Sequence, residues 1–325
     1  MKPTDGGNKW STHMLAAQIA KSLAKRILPK RIRDDLRTLR RLIGYIDYPQ
    51  VPFDNTYAWL NWAFSQVNNN ASPLCKRMPQ YIWGIAQGAA LARVLGETRI
   101  SVIEFGVAHG AGLIALESIA RAISELTDIG IDVFGFDTGT GLPSPVDVRD
   151  QPNMWYGGQF PMDKQRLLSR LTTAKLYLGP VKDTLQRFIN SRPSPIAFAS
   201  FDMDLYSSTR DALGIFEANH TCLLPRVFSY FDDILGHTYN DFCGERLAIS
   251  EFNSNHANTK ICPIYGLKHF IPRMAYAMYG WPEGMYIAHI FDHKRYNSRD
   301  SINKPASIEI DGMEVWRAQN PTPKL

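Results

Sequence analysis

The stretch 102–112, Val-Ile-Glu-Phe-Gly-Val-Ala-His-Gly-Ala-Gly, sets three glycines behind a short apolar run, and the helix-patterned "LIALESIARAISEL" follows at once. A chain strips side chains from a turn where its backbone must bend tightly or touch something. The same order of apolar run, turn and helix recurs downstream. "RISVIEF", "IDVFGF", "AKLYLG", "PIAFASFD" and "RVFSYFD" read as strands, and "LIALESIARAISEL", "DKQRLLSRL", "VKDTLQRFIN" and "TRDALGIFEAN" read as the helices between them. This alternation predicts an α/β fold: a Rossmann-like, doubly wound, mostly parallel sheet with helices on both faces. After "ERLAISEFN" the pattern changes, and "GMYIAHIF" and "SIEIDGMEVW" read as late strands forming an antiparallel C-terminal edge.

At 325 residues and 45% hydrophobic content, the chain can bury a large core. It has no window of about 18 consecutive apolar residues, the length a membrane span needs. Its charged start, "MKPTDGGNKW", lacks the apolar block of a signal peptide, so a cytoplasmic location is expected. Cys75, Cys222, Cys243 and Cys262 show no metal-ligand spacing and read as reduced thiols. The net charge of +5 is uneven: residues 1–43 hold eleven Lys or Arg against Asp5, Asp34 and Asp35. Leu15, Ile19, Leu23 and Ile27 recur every fourth residue there, and Pro29 ends that helix. Residues 1–50 thus read as a basic helical arm. It suits peripheral contact with an anionic membrane, homo-oligomer assembly, or docking on its own core. The remainder is net negative, which argues against nucleic acid as a partner.

In open parallel sheets, ligands bind at the carboxyl ends of the strands. Gly106, Gly110 and Gly112 stand at the first such end, where the next helix presents its positive N-terminus. "GAGLIA" fits a degenerate dinucleotide pattern, but it begins four residues too late for one. Asp137, closing the second strand, is placed to accept hydrogen bonds from ribose hydroxyls or to cap the turn that follows. The fourth strand ends in Asp202 and Asp204, and the fifth in Asp232 and Asp233. Carboxylates converging on one sheet edge repel unless protonated or neutralised, and oxygen ligands of this kind suit Mg²⁺. Helix capping is the other reading of each aspartate taken singly.

The arrangement E-x-G-x-x-x-G-x-G, Glu104 to Gly112, resembles the first motif of class I S-adenosylmethionine-dependent methyltransferases. D-x-D-x-Y-x-S-T, the "DD" strand end, "FDTGTGLP", "LGPVKDTL" and "GERLAISEF" resemble the metal-dependent sugar O-methyltransferases typified by macrocin O-methyltransferase. The likeness covers about residues 95–255, the cofactor core of a domain at 51–325. It implies S-adenosylmethionine held by the glycine loop, with Glu104 toward its amino group, and Mg²⁺ held by Asp202 or Asp204 together with Asp232 and Asp233. The acceptor implied is a small molecule or glycan bearing a sugar hydroxyl. Gly139-Thr140 departs from the aromatic–acidic pair usual in that group.

His237, four residues past Asp233, is the first candidate base, with Asp202 as the other catalytic candidate. His109 reads as a cofactor-side contact or a spacer. Trp155, Tyr156 and Phe160 could form a lid over the acceptor or simply pack under a long loop. Two other readings stand beside this one: a D-x-D glycosyltransferase, which leaves the glycine loop unexplained, and a non-catalytic binding protein on the same scaffold.

Overall fold

A computed structural model describes residues 78–236, 238–270, 280–297, 306–310 and 313–317. The basic arm, Cys75 and His237 lie outside them. Strands β1 (Arg99–Phe105), β2 (Gly130–Asp137), β3 (Lys175–Leu178), β4 (Ile196–Phe201), β5 (Leu223–Phe231), β6 (Thr259–Pro263) and β7 (Met285–Ile290) form one sheet in the order β3-β2-β1-β4-β5-β7-β6. β1 to β5 pair in parallel, and β7 runs antiparallel to both β5 and β6. The fold is Rossmann-like and doubly wound, as the β-α alternation implies, and its C-terminal edge is antiparallel.

Helices cover both faces. On one side α1 (Pro79–Val94) and α2 (Ala111–Thr127) bury Ile82, Ile85, Leu113 and Leu116 against Ile100, Val102 and Phe198. A short α3 (Lys164–Leu168) adds Leu167 to that cluster. On the other side α4 (Val181–Asn190), α5 (Tyr206–Leu213) and α6 (Gly244–Asn255) bury Leu185, Phe188, Leu213 and Phe252 against Ile103, Phe105 and Phe201. β1 and β4 are covered on both faces, so each reads as a nearly unbroken apolar run.

Two elements escape the sequence pattern. α1 buries residues all round rather than along one stripe, including Tyr81, Trp83, Ala86 and Ala89, so it has no amphipathic signature. Gly84 lets it lie tight on β4: a Cβ there would stand 2.2 Å from the Phe198 ring. β6, "TKICP", is five residues carrying a lysine and a proline, too short and mixed to stand out. Of the two late strands expected, "GMYIAHIF" is β7, whereas "SIEIDGMEVW" pairs with itself as β8 (Ala306–Ile310) and β9 (Met313–Arg317) in a separate two-stranded sheet. Cys222, Cys243 and Cys262 are free thiols.

A column of aromatic rings crosses the carboxyl ends of the parallel strands. Tyr177, Phe136, Phe105, Phe201 and Phe231 sit in register on neighbouring strands, with successive ring centroids 5.0, 4.9, 5.1 and 4.6 Å apart. Each pair adds about 0.5–1.5 kcal/mol beyond its buried area. Phe201 has a ring of the column on either side, Phe105 and Phe231, and is fully buried. Phe201→Ala should therefore lower the unfolding free energy by about 3–5 kcal/mol in urea denaturation, while Val148→Ala, on an exposed side chain, should change it by no more than about 0.5 kcal/mol.

Candidate functional site

The ends of β1, β2, β4 and β5 open into one cavity of about 870 Å³, lined by Glu104, Gly106, Asp137, Asp202, Asp204 and Asp233 among others. The sequence-predicted residues Glu104, Gly106, Gly112, Asp137, Asp202, Asp204, Asp232 and Asp233 all reach it. Gly110, with φ +85°, is the N-cap of α2.

The glycines answer to the chain's own packing. Gly106 has φ +84°, and a Cβ there would come within 1.7 Å of the Asp202 carbonyl oxygen, so the glycine turn and the D-x-D loop touch backbone to backbone. A Cβ on Gly112 would stand 1.9 Å from Glu104 Oε1. Glu104 is almost wholly buried beneath the first turn of α2, where Tyr81 of α1 donates a 2.6 Å hydrogen bond to Oε1. Oε2, also buried, has no hydrogen-bond partner among the described residues. Burial pushes the Glu104 carboxyl up to about 8, against the lowering effect of the Tyr81 bond. Asp137 binds the loop itself: Oδ2 accepts from the backbone N–H groups of Val107 and Ala108 at 3.0 and 2.9 Å, and Oδ1 accepts from Gly139 N–H at 2.6 Å. It thereby clamps the β1 turn to the β2 turn.

On the other wall, oxygens of Asp202, Asp204 and Asp233 lie within 4.8 Å of one another. Asp204 has φ +60°, a left-handed conformation that aspartate tolerates better than most residues, and its N–H donates to Asp233 Oδ2 at 2.8 Å. Tyr239 donates to Asp233 Oδ1 at 3.0 Å. Asp232 stands outside that trio, exposed at the cavity, with its Oδ1 accepting from Tyr230 at 2.8 Å. Confinement away from bulk water, then repulsion from Asp232, Asp233 and Asp204, holds the Asp202 carboxyl well above the usual range. Burial, then repulsion from Asp233 and Asp232, pushes Asp204 up to about 7, and burial with Asp232 pushes Asp233 up to about 6.

Sequence reasoning missed three participants. Glu245, at the start of α6, is fully buried, accepts from Asp233 N–H at 3.0 Å and is raised well above its ordinary value by burial. Asp150 and Gln151 anchor the long loop after β2. Buried Asp150 accepts from Ser207 N–H and Ser207 Oγ on the first turn of α5 and from Val146 N–H, and Gln151 donates to the Thr238 carbonyl at 2.9 Å. The only sequence signal for Glu245 was its place in "GERLAISEF"; Asp150 and Gln151 gave none. Of the lid candidates, Trp155 and the partly exposed Phe160 line the cavity and meet edge to face at 6.3 Å, whereas Tyr156 is exposed and does not line it. His109 is exposed at the cavity.

No protein-family model matches the chain, and no curated protein matches it. Among solved structures, the calicheamicin methyltransferase CalS11 is 23% identical with a TM-score of 0.43, over 67% of this chain and 90% of its own. The O-methyltransferase NovP is 18% identical with a TM-score of 0.40, over 54% and 72%. The O-methyltransferase TomG from Streptomyces achromogenes, in complex with SAM, is 14% identical with a TM-score of 0.38, over 78% and 96%. These are similarities, and the functional reading rests on the chain's own residues.

The acidic wall makes metal-free stability depend on pH. Asp204 and Asp233 bind protons more tightly folded than unfolded, their ordinary value being 3.8, so their contribution is present below about pH 4 and is lost as pH rises through 6 to 7. In chelator, the unfolding temperature should be higher at pH 5 than at pH 8. Asp204→Asn, which keeps the left-handed backbone accessible, should shrink that difference; a flat wild-type profile would contradict the crowding.

Proposed function

We propose that the chain is an S-adenosylmethionine-dependent O-methyltransferase, assisted by Mg²⁺, acting on a hydroxyl of a sugar, glycan or related secondary metabolite. One observation carries this reading: a single cavity has a buried glutamate with a spare oxygen on one wall and a cluster of three carboxylates on the other. The first suits a ligand that brings a cationic amino group and the second a divalent cation. S-adenosylmethionine supplies both that amino group and a sulfonium-activated methyl group.

The fit is a matter of donor chemistry. Glu104 Oε2 is a buried acceptor that an ammonium would satisfy, in a pocket too apolar to hold a lone charge cheaply. Asp137 spends its two oxygens on the loop, yet a carboxylate oxygen accepts more than one bond, so the proposed ribose contact is compatible with the clamp. Asp202, Asp204 and Asp233 are the residues that would hold Mg²⁺, with Asp232 beside them. A bound Mg²⁺ supplies a lowered pKa to a coordinated hydroxyl. Tyr239 and the Asp204 N–H fix the orientation of Asp233, and Glu245 fixes the backbone that carries it. Trp155 and Phe160 offer an apolar wall against which a sugar ring can stack. His237 is the proposed base from sequence. The arm at 1–50 is proposed to serve peripheral membrane contact or assembly, in a cytoplasmic protein.

Calorimetry should show binding of S-adenosylhomocysteine and no heat from NAD or from a nucleotide sugar; the converse result would favour the glycosyltransferase reading. Asp202→Asn removes a charged oxygen that faces the cavity. It should lower methyl transfer by about a hundredfold or more and leave S-adenosylhomocysteine affinity within about twofold. Undiminished methyl transfer by the wild type in excess chelator would overturn the Mg²⁺ part of the reading.

A further inference from the structure

α1 precedes every motif in the sequence, and none of its residues belongs to a recognisable signature. Yet Tyr81 reaches across the sheet face to the end of β1. Its ring is buried and held edge-on to Phe198 of β4, with centroids 5.8 Å apart. Its hydroxyl donates to Glu104 Oε1 at 2.6 Å and accepts from Ser200 Oγ at 3.4 Å. The space this pair occupies is reserved by Gly112, whose missing Cβ would meet Glu104 Oε1 at 1.9 Å and the Tyr81 hydroxyl at 3.1 Å. A carboxylate free to rotate could turn either oxygen toward the cavity. Bound through Oε1 and pressed against Gly112, this one has only Oε2 left over, buried and without a partner among the described residues.

We infer that Tyr81 is a positioning residue for the amino-acid end of the cofactor: it commits one oxygen of Glu104 so that the other is presented, in a fixed direction, to the ligand's ammonium group. The inference rests on the cofactor reading above and adds to it a specific division of labour. Preorganising a buried acceptor spares the ligand the cost of ordering it. Without the hydroxyl, Glu104 would lose a charge-assisted hydrogen bond and its fixed rotamer together. The effect is confined to whatever touches Glu104. The adenosine portion of the same ligand carries no ammonium group and would not feel it.

That confinement gives the test. Two probes are titrated by calorimetry into the full chain: S-adenosylhomocysteine, and 5′-methylthioadenosine, which lacks the amino and carboxyl groups. Tyr81→Phe should weaken S-adenosylhomocysteine about tenfold and leave 5′-methylthioadenosine unchanged, the loss expected for one hydrogen bond to a charged group. A merely structural role would weaken both alike, and that result, or no change for either, overturns the inference while leaving the cofactor reading intact. If the wild type binds 5′-methylthioadenosine no more weakly than S-adenosylhomocysteine, Glu104 contributes nothing to the amino group and the inference fails. If the wild type binds neither probe, the cofactor reading fails first. Should Tyr81→Phe strand the buried carboxylate and prevent folding, the comparison moves to Glu104→Gln and the double variant Tyr81→Phe/Glu104→Gln, which carry no charge there. The two should then bind S-adenosylhomocysteine equally, and a further loss in the double variant would overturn the inference.

Discussion

The aromatic column across β3, β2, β1, β4 and β5 is the constraint on which the site depends. Each of its four phenylalanines is followed at once by a residue of the cavity: Phe136 by Asp137, Phe105 by Gly106, Phe201 by Asp202 and Phe231 by Asp232. Strand register is weakly specified by backbone hydrogen bonds alone, because a slip of two residues restores every bond. A slip here would unstack several rings at about 5 Å spacing and move a polar strand end into the core. The rings therefore level the strand ends, and with them the polar residues one step beyond. The cavity is the top of a stack whose floor is apolar and rigid.

That levelling has an electrostatic consequence. Four aspartates from two adjacent strands end at the same height, with two buried glutamates nearby, and the lysine and arginine that line the cavity are Lys182 and Arg210. Arg210 is engaged by Asp211 at 2.7 Å, and Arg149, next to Asp150, by Asp147 at 2.8 Å, so neither offsets the central charge. Hydrogen bonds from Tyr239, Tyr230 and backbone N–H groups hold the carboxylates in place without neutralising them. Such an arrangement sacrifices stability at neutral pH for a site prepared to receive positive charge.

The elements that build this stack were legible in the sequence because the buried strands read as short apolar runs separated by helix-patterned segments. "RISVIEF" and "VKDTLQRFIN" coincide with β1 and α4. What the sequence could not convey was direction. Asp204 rather than Asp232 joins Asp202 and Asp233, because the left-handed turn at Asp204 folds its carboxylate back into the cluster while Asp232 is drawn to Tyr230. Spacing along a chain does not encode a positive φ at a non-glycine residue. Nor could it reveal that Gly112 makes room for a tyrosine some thirty positions earlier, or that Asp137 ties down the glycine loop. Long-range contacts of this kind leave no local period.

The loop that follows β2 departs from this design. It closes on itself through backbone bonds between Leu142 and both Gly158 and Gln159, and it is fastened to the body through Asp150 and Gln151. Polar fastenings at two adjacent residues behave like a hinge pin: what lies on either side can be lengthened, shortened or recomposed without shifting a strand. Val146, Val148 and Tyr156 are exposed on it, so replacing them disturbs no packing. Rewriting this one surface segment would reshape the cavity wall at Val146, Trp155 and Phe160 while the column of rings beneath stays unaltered.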